Sequence, residues 1–199
     1  KIPIAQPAGH MVVDIGGGST ECAVISLGGV VVHNSVRSGG NKVDESIALY
    51  VKRKFNLLIG ERTSEQIKID LGNALIDPNS KEVNKIEIRG RDSITGLPRT
   101  IELTEEQVNE AIKPVLLDIV AGVKGVLEQT PPELASDIID KGVVMSGGTS
   151  LLKNFDKLVT KLTGVPCHLA EDPLLCVVRG TGVALENIEL YKRSIARNK

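Results

Sequence analysis

Residues 11–21, MVVDIGGGSTE, constrain this chain more than any other stretch: an apolar run reaches an aspartate, and three consecutive glycines follow before two hydroxyl residues. Glycines let the backbone turn tightly and bring bare N–H groups against an anion, because no Cβ blocks the approach. Asp14 sits at the strand end, where a carboxylate suits a magnesium ion, held directly or through water. Neither familiar nucleotide fingerprint is present, since there is no G-x-x-x-x-G-K-[ST] and no G-x-G-x-x-G that opens a helix. Another apolar run follows the glycines, so the motif predicts a hairpin that cradles phosphate.

The apolar runs 11–15, 21–27 and 30–36, the last two parted by Gly28-Gly29, predict three strands in meander order. After Gly39-Gly40 the period changes: Val43, Ile47, Tyr50 and Val51 mark an amphipathic helix. Thr63 stands where an N-cap belongs, with Gln66 as its capping-box partner, ahead of a second helix. From about residue 80 to 103 the chain is polar and alternating, which predicts a small hairpin with one wet face. Thr104 to Leu127 carries the clearest helical stripe, with Pro114 expected to kink it. The strand GVVMSGG follows, Thr149 or Ser150 is expected to cap the next helix, a short strand spans 165–169, and a last helix spans 174–190.

Composition narrows the function. With 199 residues, 41% of them hydrophobic and 25% charged, the chain can bury a real core. A formal net charge of -1 and 2% aromatic residues remove both the basic footprint and the stacking platforms of a nucleic-acid binder. The three cysteines, Cys22, Cys167 and Cys176, are odd in number and lack C-x-x-C spacing, which suits a reducing cytoplasm better than a disulfide framework or a zinc site. No run approaches the roughly 18 apolar residues of a membrane span. The opening Lys1 and the proline-interrupted stretch 1–9 predict a linker within a longer protein.

DIGGGSTE with its hairpin, GGNKVD opening a helix, and VVMSGGTSLL further on together resemble the second half of the actin, Hsp70 and sugar-kinase ATPase superfamily. Within it, ECAVISLGG, FNLLIGERT, GERTSEQIK, TGLPRTIEL and TPPELASDII are most similar to MreB, the bacterial actin family, over about Met11 to Asn187. The resemblance implies an α/β fold: an RNase H-like, actin-type ATPase domain with a mixed sheet, flanking helices and a small inserted α+β subdomain. Its nucleotide-binding part is expected at 10–62 and 129–190, the insert at 63–128 and a basic tail at 191–199. It also implies ATP and Mg2+ as cofactors. Asp14 would lie near the metal, and Gly16, Gly17, Gly18, Ser19 and Thr20 would form the second phosphate loop. Glu65, Gln66, Ile67 and Lys68 would face the adenosine, the Glu65 carboxylate suiting ribose hydroxyls and Lys68 the adenine. Gly147, Gly148, Thr149 and Ser150 would form the loop beneath the nucleotide.

Asn41 departs from the family, standing where a second acidic residue is usual. The first phosphate loop and the catalytic glutamate are expected upstream of residue 1, so no catalytic residue is assigned within the chain and hydrolysis is expected only of the complete ATPase. The resemblance further implies protofilaments, membrane-anchored cell-wall elongation proteins as partners, membrane contact through the missing half, and a place at the cytoplasmic face of the membrane, where such filaments direct wall synthesis and rod shape. DIGGGSTE alone also fits an exopolyphosphatase or guanosine-pentaphosphate phosphohydrolase. Taken singly, Asp14 also suits a cap for the glycine turn, and Glu65 with Lys68 suits a solvated i, i+3 ion pair.

Overall fold

The computed structural model describes residues 2–77 and 84–189. The basic tail expected at 191–199 lies outside the described residues, as does Leu190. Strands β1 (His10–Ile15), β2 (Thr20–Ser26) and β3 (Gly29–Val36) form the expected antiparallel meander. Two later strands, β7 (Val143–Ser146) and β8 (Cys167–Leu169), add parallel pairings, so the large sheet is mixed and ordered β3-β2-β1-β7-β8. A second sheet is made of β4 (Leu57–Leu58), β5 (Lys85–Asp92) and β6 (Pro98–Thr104).

Helix α1 (Gly40–Phe55) follows the meander and buries Val43, Ile47 and Val51. Helix α2 (Glu61–Leu71) starts two residues before the expected cap: Gly60 is its N-cap, and Thr63 lies inside the first turn. Gln66 reaches forward to Asp70 at 2.8 Å rather than back to a cap. The capping box belongs to α3 (Glu105–Gln129), where the Thr104 hydroxyl accepts from the Gln107 N–H at 3.3 Å and the Gln107 side chain accepts from the Thr104 N–H at 3.1 Å. This helix runs on through Pro114.

Its packing also redraws the expected insert. Helix α3, placed by the sequence in the 63–128 unit, lies over β2 and β3 of the large sheet and against α1. Its long stripe from Val108 to Val126 is buried there, because a sheet with Met11, Val13, Cys22 and Val24 on its core side offers the apolar surface such a stripe needs. The small sheet meanwhile begins at Leu57, before the expected boundary.

Helix α4 (Pro132–Lys141) opens with Pro132 in its first turn, where the missing N–H costs no hydrogen bond, and packs against β1. After β7 the chain makes a short 3-10 turn, Gly148–Leu151, and α5 (Phe155–Thr163) begins only beyond it. Asn154, in the left-handed conformation, precedes α5 in place of Thr149 or Ser150. Helix α6 (Cys176–Glu186) begins two residues after the expected start at 174, and the end expected at 190 lies outside the described residues.

Candidate functional site

The two ends of the sequence motif meet at the carboxyl ends of β1 and β7, which lie side by side with Asp14 opposite Ser146. Crevices beyond the carboxyl ends of parallel strands are where α/β sheets bind ligands. Three turns converge here. Residues 16–19 join β1 to β2, Gly39 leads into α1, and residues 147–149 leave β7.

Their contacts are close because glycine occupies the meeting points. The Gly40 N–H donates to the Gly16 carbonyl at 3.0 Å, and the Asn41 N–H to the Gly17 carbonyl at 2.9 Å. A Cβ on Gly39 would lie 2.5 Å from the Gly16 oxygen. The Thr149 hydroxyl donates to the same Gly16 carbonyl at 2.9 Å, tying the third turn to the first. Gly147 has φ +84, a conformation that L side chains rarely adopt, and a Cβ there would stand 2.3 Å from the backbone oxygen of Ile15.

Beside these turns opens a cavity of about 510 Å3, a size that suits a drug-sized or nucleotide-sized ligand. Its glycine end is made by Gly17, Gly40, Asn41, Gly148 and Thr149. Glu65, Lys68, Leu71 and Gly72 of α2 and its end form one wall, and Leu151, Leu152 and Leu174 an apolar one. Asn84, Glu105 and Lys153 line it as well.

The expected site residues thus separate into groups. Gly17, Glu65, Lys68, Gly148 and Thr149 line the cavity. Gly16 holds the turn together, and Gly18 is exposed with open space where a Cβ would point. Among the described residues no hydrogen bond within the chain claims the N–H groups of Gly17 and Gly18. Ser19 lends its carbonyl to the Gly16 N–H at 3.0 Å, and Thr20 is buried with its hydroxyl on the Ser38 carbonyl at 2.7 Å. Both therefore shape the turn from outside the cavity.

Ile67 is a correction. It is 1% exposed and packed in the core, because residues one position apart on a helix point about 100° apart and the Glu65 and Lys68 directions leave Ile67 facing inward. Gln66 is exposed and bonded to Asp70, so it too lies off the cavity wall. Ser150 is 1% exposed and donates to the Gly147 carbonyl at 2.7 Å, bracing the turn from behind.

Glu65 and Lys68 do not pair. The Lys68 ammonium instead meets Asp44 of α1 at 2.9 Å, both side chains about five-sixths buried. Burial raises the Asp44 carboxyl above the usual carboxylate range, while the hydrogen bond and charge of Lys68 oppose the rise. Gly40, Asn41, Leu151, Leu152 and Lys153 also line the cavity; the first two lie in GGNKVD and the two leucines end VVMSGGTSLL, so of these only Lys153 carried no sequence signal.

Asp14 is half-buried at the end of β1, and its Oδ1 accepts from the Ser146 hydroxyl at 2.7 Å. Among the described residues no group of three or more His, Cys, Asp or Glu side chains gathers as a metal cage. Magnesium commonly takes one or two carboxylates, several waters and the oxygens of a bound phosphate chain, and Asp14 beside the glycine turn fits that donor set. The uncovered N–H groups of Gly17 and Gly18 fit the phosphate chain itself.

Glu105 forms a clasp in the cavity wall. It accepts from Asn73 at 2.8 Å, Asn84 at 2.9 Å and Lys153 at 3.0 Å. Burial pushes its pKa up, but these three hydrogen bonds and the Lys153 charge outweigh that and hold it below the usual value.

A family model described as MreB/Mbl protein matches residues 1–193. The chain is 52% identical over 193 residues to the cell shape-determining protein Mbl of Bacillus cereus, covering 96% of this chain and 57% of that protein. It is 50% identical over 190 residues to the cell shape-determining protein MreB of Escherichia coli, covering 96% of this chain and 54% of that one. It therefore spans little more than half the length of these relatives. Among solved structures it is similar to MreB5 of Spiroplasma citri bound to ADP, with a TM-score of 0.88 and 35% identity over 99% of this chain and 58% of that one. The MamK double helical filament shares the fold, with a TM-score of 0.64 at 21% identity over 83% of this chain and 50% of that one.

Proposed function

This chain belongs to the MreB/Mbl family of cell shape-determining actin homologues, and we propose that it is the ATP-binding second half of such a protein. The observation that carries this reading is the cavity itself. A glycine turn with uncovered N–H groups, the Gly148-Thr149 turn and the Glu65 and Lys68 wall surround one space large enough for an adenine nucleotide. The ADP-bound and AMPPNP-bound forms of the similar MreB5 support the same ligand class.

In this proposal the N–H groups of Gly17 and Gly18 receive the phosphate chain, and Asp14 holds magnesium. Magnesium, when bound, neutralises charge on the phosphate chain. Glu65 accepts from ribose hydroxyls, and Leu151, Leu152 and Leu174 cover the base. Hydrolysis requires the first phosphate loop and a water-activating carboxylate from the rest of the protein, since positioning and charge stabilisation supply nearly all catalysis of phosphoryl transfer. The complete protein would assemble into protofilaments at the cytoplasmic face of the membrane, touching the membrane through its other half and working with membrane-anchored wall-building proteins. The phosphohydrolase reading of DIGGGSTE yields to a family match that spans 1–193 rather than the motif alone.

The test is titration of the purified 199-residue chain with ADP and ATP in the presence and absence of magnesium, together with a phosphate-release assay. Weak, magnesium-assisted binding without turnover is expected. Turnover that Asp14→Ala abolishes would refute the assignment of hydrolysis to the complete protein. Phosphate release from polyphosphate without adenine nucleotide would favour the phosphohydrolase.

A further inference from the structure

A Cβ added to Gly40 would lie 3.3 Å from Lys68 Nζ, 2.8 Å from the Thr149 hydroxyl and 3.7 Å from the Gly17 Cα. The ammonium therefore stands at the glycine end of the cavity, beside the turn with uncovered N–H groups and the first residue of α1. A cation at that place is unfavourable by itself, because a helix N-terminus carries a partial positive charge and the first turn of α1 contains no acidic residue.

Asp44 resolves the conflict. It lies four residues into α1, receives the Lys68 ammonium on Oδ2 at 2.9 Å, and is itself 16% exposed. Its other oxygen, Oδ1, is buried without a partner, so Lys68 is the only hydrogen-bonding group that fixes this carboxylate among the described residues. Asp44 lines a neighbouring cavity of about 520 Å3 and not the candidate ligand cavity. Its hydrogen-bonded link to the ligand cavity is Lys68, which lines it.

We propose that Asp44 is a positioning residue that holds the Lys68 ammonium at the phosphate end of the nucleotide, so that Lys68 reads the phosphate chain rather than the adenine. The proposal rests on the nucleotide reading above. An ammonium carries three N–H donors, and Asp44 takes one, leaving two directed by the pair's geometry for ligand oxygens. Without Asp44 the lysine loses both its anchor and the negative charge that offsets the helix end, and it swings to solvent on its flexible stem.

The experiment compares adenosine, AMP and ADP binding to the unmutated chain and to Asp44→Ala, Asp44→Asn, Lys68→Ala and the Asp44→Ala/Lys68→Ala double variant, by isothermal titration. Thermal melts confirm folding. Asp44→Ala and Lys68→Ala are each expected to weaken ADP binding about tenfold, the scale of one charge-assisted hydrogen bond. The double variant should also lose about tenfold, not about a hundredfold, since both changes remove one contact. Asp44→Asn, which keeps the shape and an accepting oxygen, should recover part of the loss. Adenosine affinity should stay level throughout, whereas a merely structural role would lower adenosine and ADP alike. Additive losses, or an unchanged ADP affinity in both Asp44 variants, would overturn the positioning role while leaving the nucleotide site standing. Failure of the unmutated chain to bind ADP would overturn the nucleotide reading and this proposal with it.

Discussion

Ile67 and Gln66 are neighbours in sequence with opposite fates, and replacing each by alanine separates core from site. Ile67 is 1% exposed and packed in the hydrophobic core beneath α2. Truncating a fully buried isoleucine to alanine removes its transfer energy and leaves a cavity that closes only in part, at a cost of about 2–5 kcal/mol. Taking about 3 kcal/mol, and the roughly 2–4 °C per kcal/mol expected for a chain of this length, the melting temperature should fall by roughly 6–12 °C. That is a large share of the about 5–15 kcal/mol by which domains are stable. Gln66 is exposed, and its truncation removes only the i, i+4 bond to Asp70, worth roughly 0.2–0.5 kcal/mol. Differential scanning calorimetry would measure both, with ADP titration well below the transition. Ile67→Ala should melt early yet bind ADP within about twofold of the unmutated chain, the margin of a residue with no ligand contact. A near-normal melting temperature combined with a large loss of ADP affinity would refute the inward placement of Ile67.

Two further outcomes follow from the geometry. Gly147→Ala sets a Cβ 2.3 Å from the Ile15 carbonyl oxygen at φ +84, against backbone that cannot rotate away. Backbone in this glycine-only region, φ +84 with ψ 160, alone costs roughly 1–3 kcal/mol for an L side chain, so calorimetry should show clear destabilisation, together with weakened ADP binding as the turn parts from β1; an unchanged melt would contradict the close approach. Glu105, held below the usual carboxylate value, contributes stability that is fully present above the unfolded value of about 4.3 and lost as pH falls through the folded value. Urea midpoints should therefore drop on acidification below about pH 5, and less steeply in Glu105→Gln; parallel slopes for the two proteins would argue against the clasp.

Much of the fold was legible because it is local. Period-2 and period-3.6 patterns placed the meander, α1, α3 and β7 with small boundary errors, and the glycine runs marked the turns between them. The illegible parts turn on a competing cap three residues away or on groups far apart in the chain. Thr63 and Gln66 satisfy a capping-box spacing that Gly60 pre-empts, and Thr149 spends its hydroxyl on Gly16, 133 residues away, instead of on α5. Helix α3 reads as part of the insert by order but joins the large sheet by packing.

By itself the sequence determined that strands and helices alternate around a glycine hairpin suited to phosphate, because backbone freedom and apolar periodicity are properties of neighbouring residues. Only the tertiary structure decided which side chains face the cavity. It turned Ile67 into the core, paired Lys68 with Asp44 rather than Glu65, and set Ser146 against Asp14 across β1 and β7. Those outcomes depend on which faces pack and which buried charges meet, and burial makes an unpaired charge too costly to leave to chance.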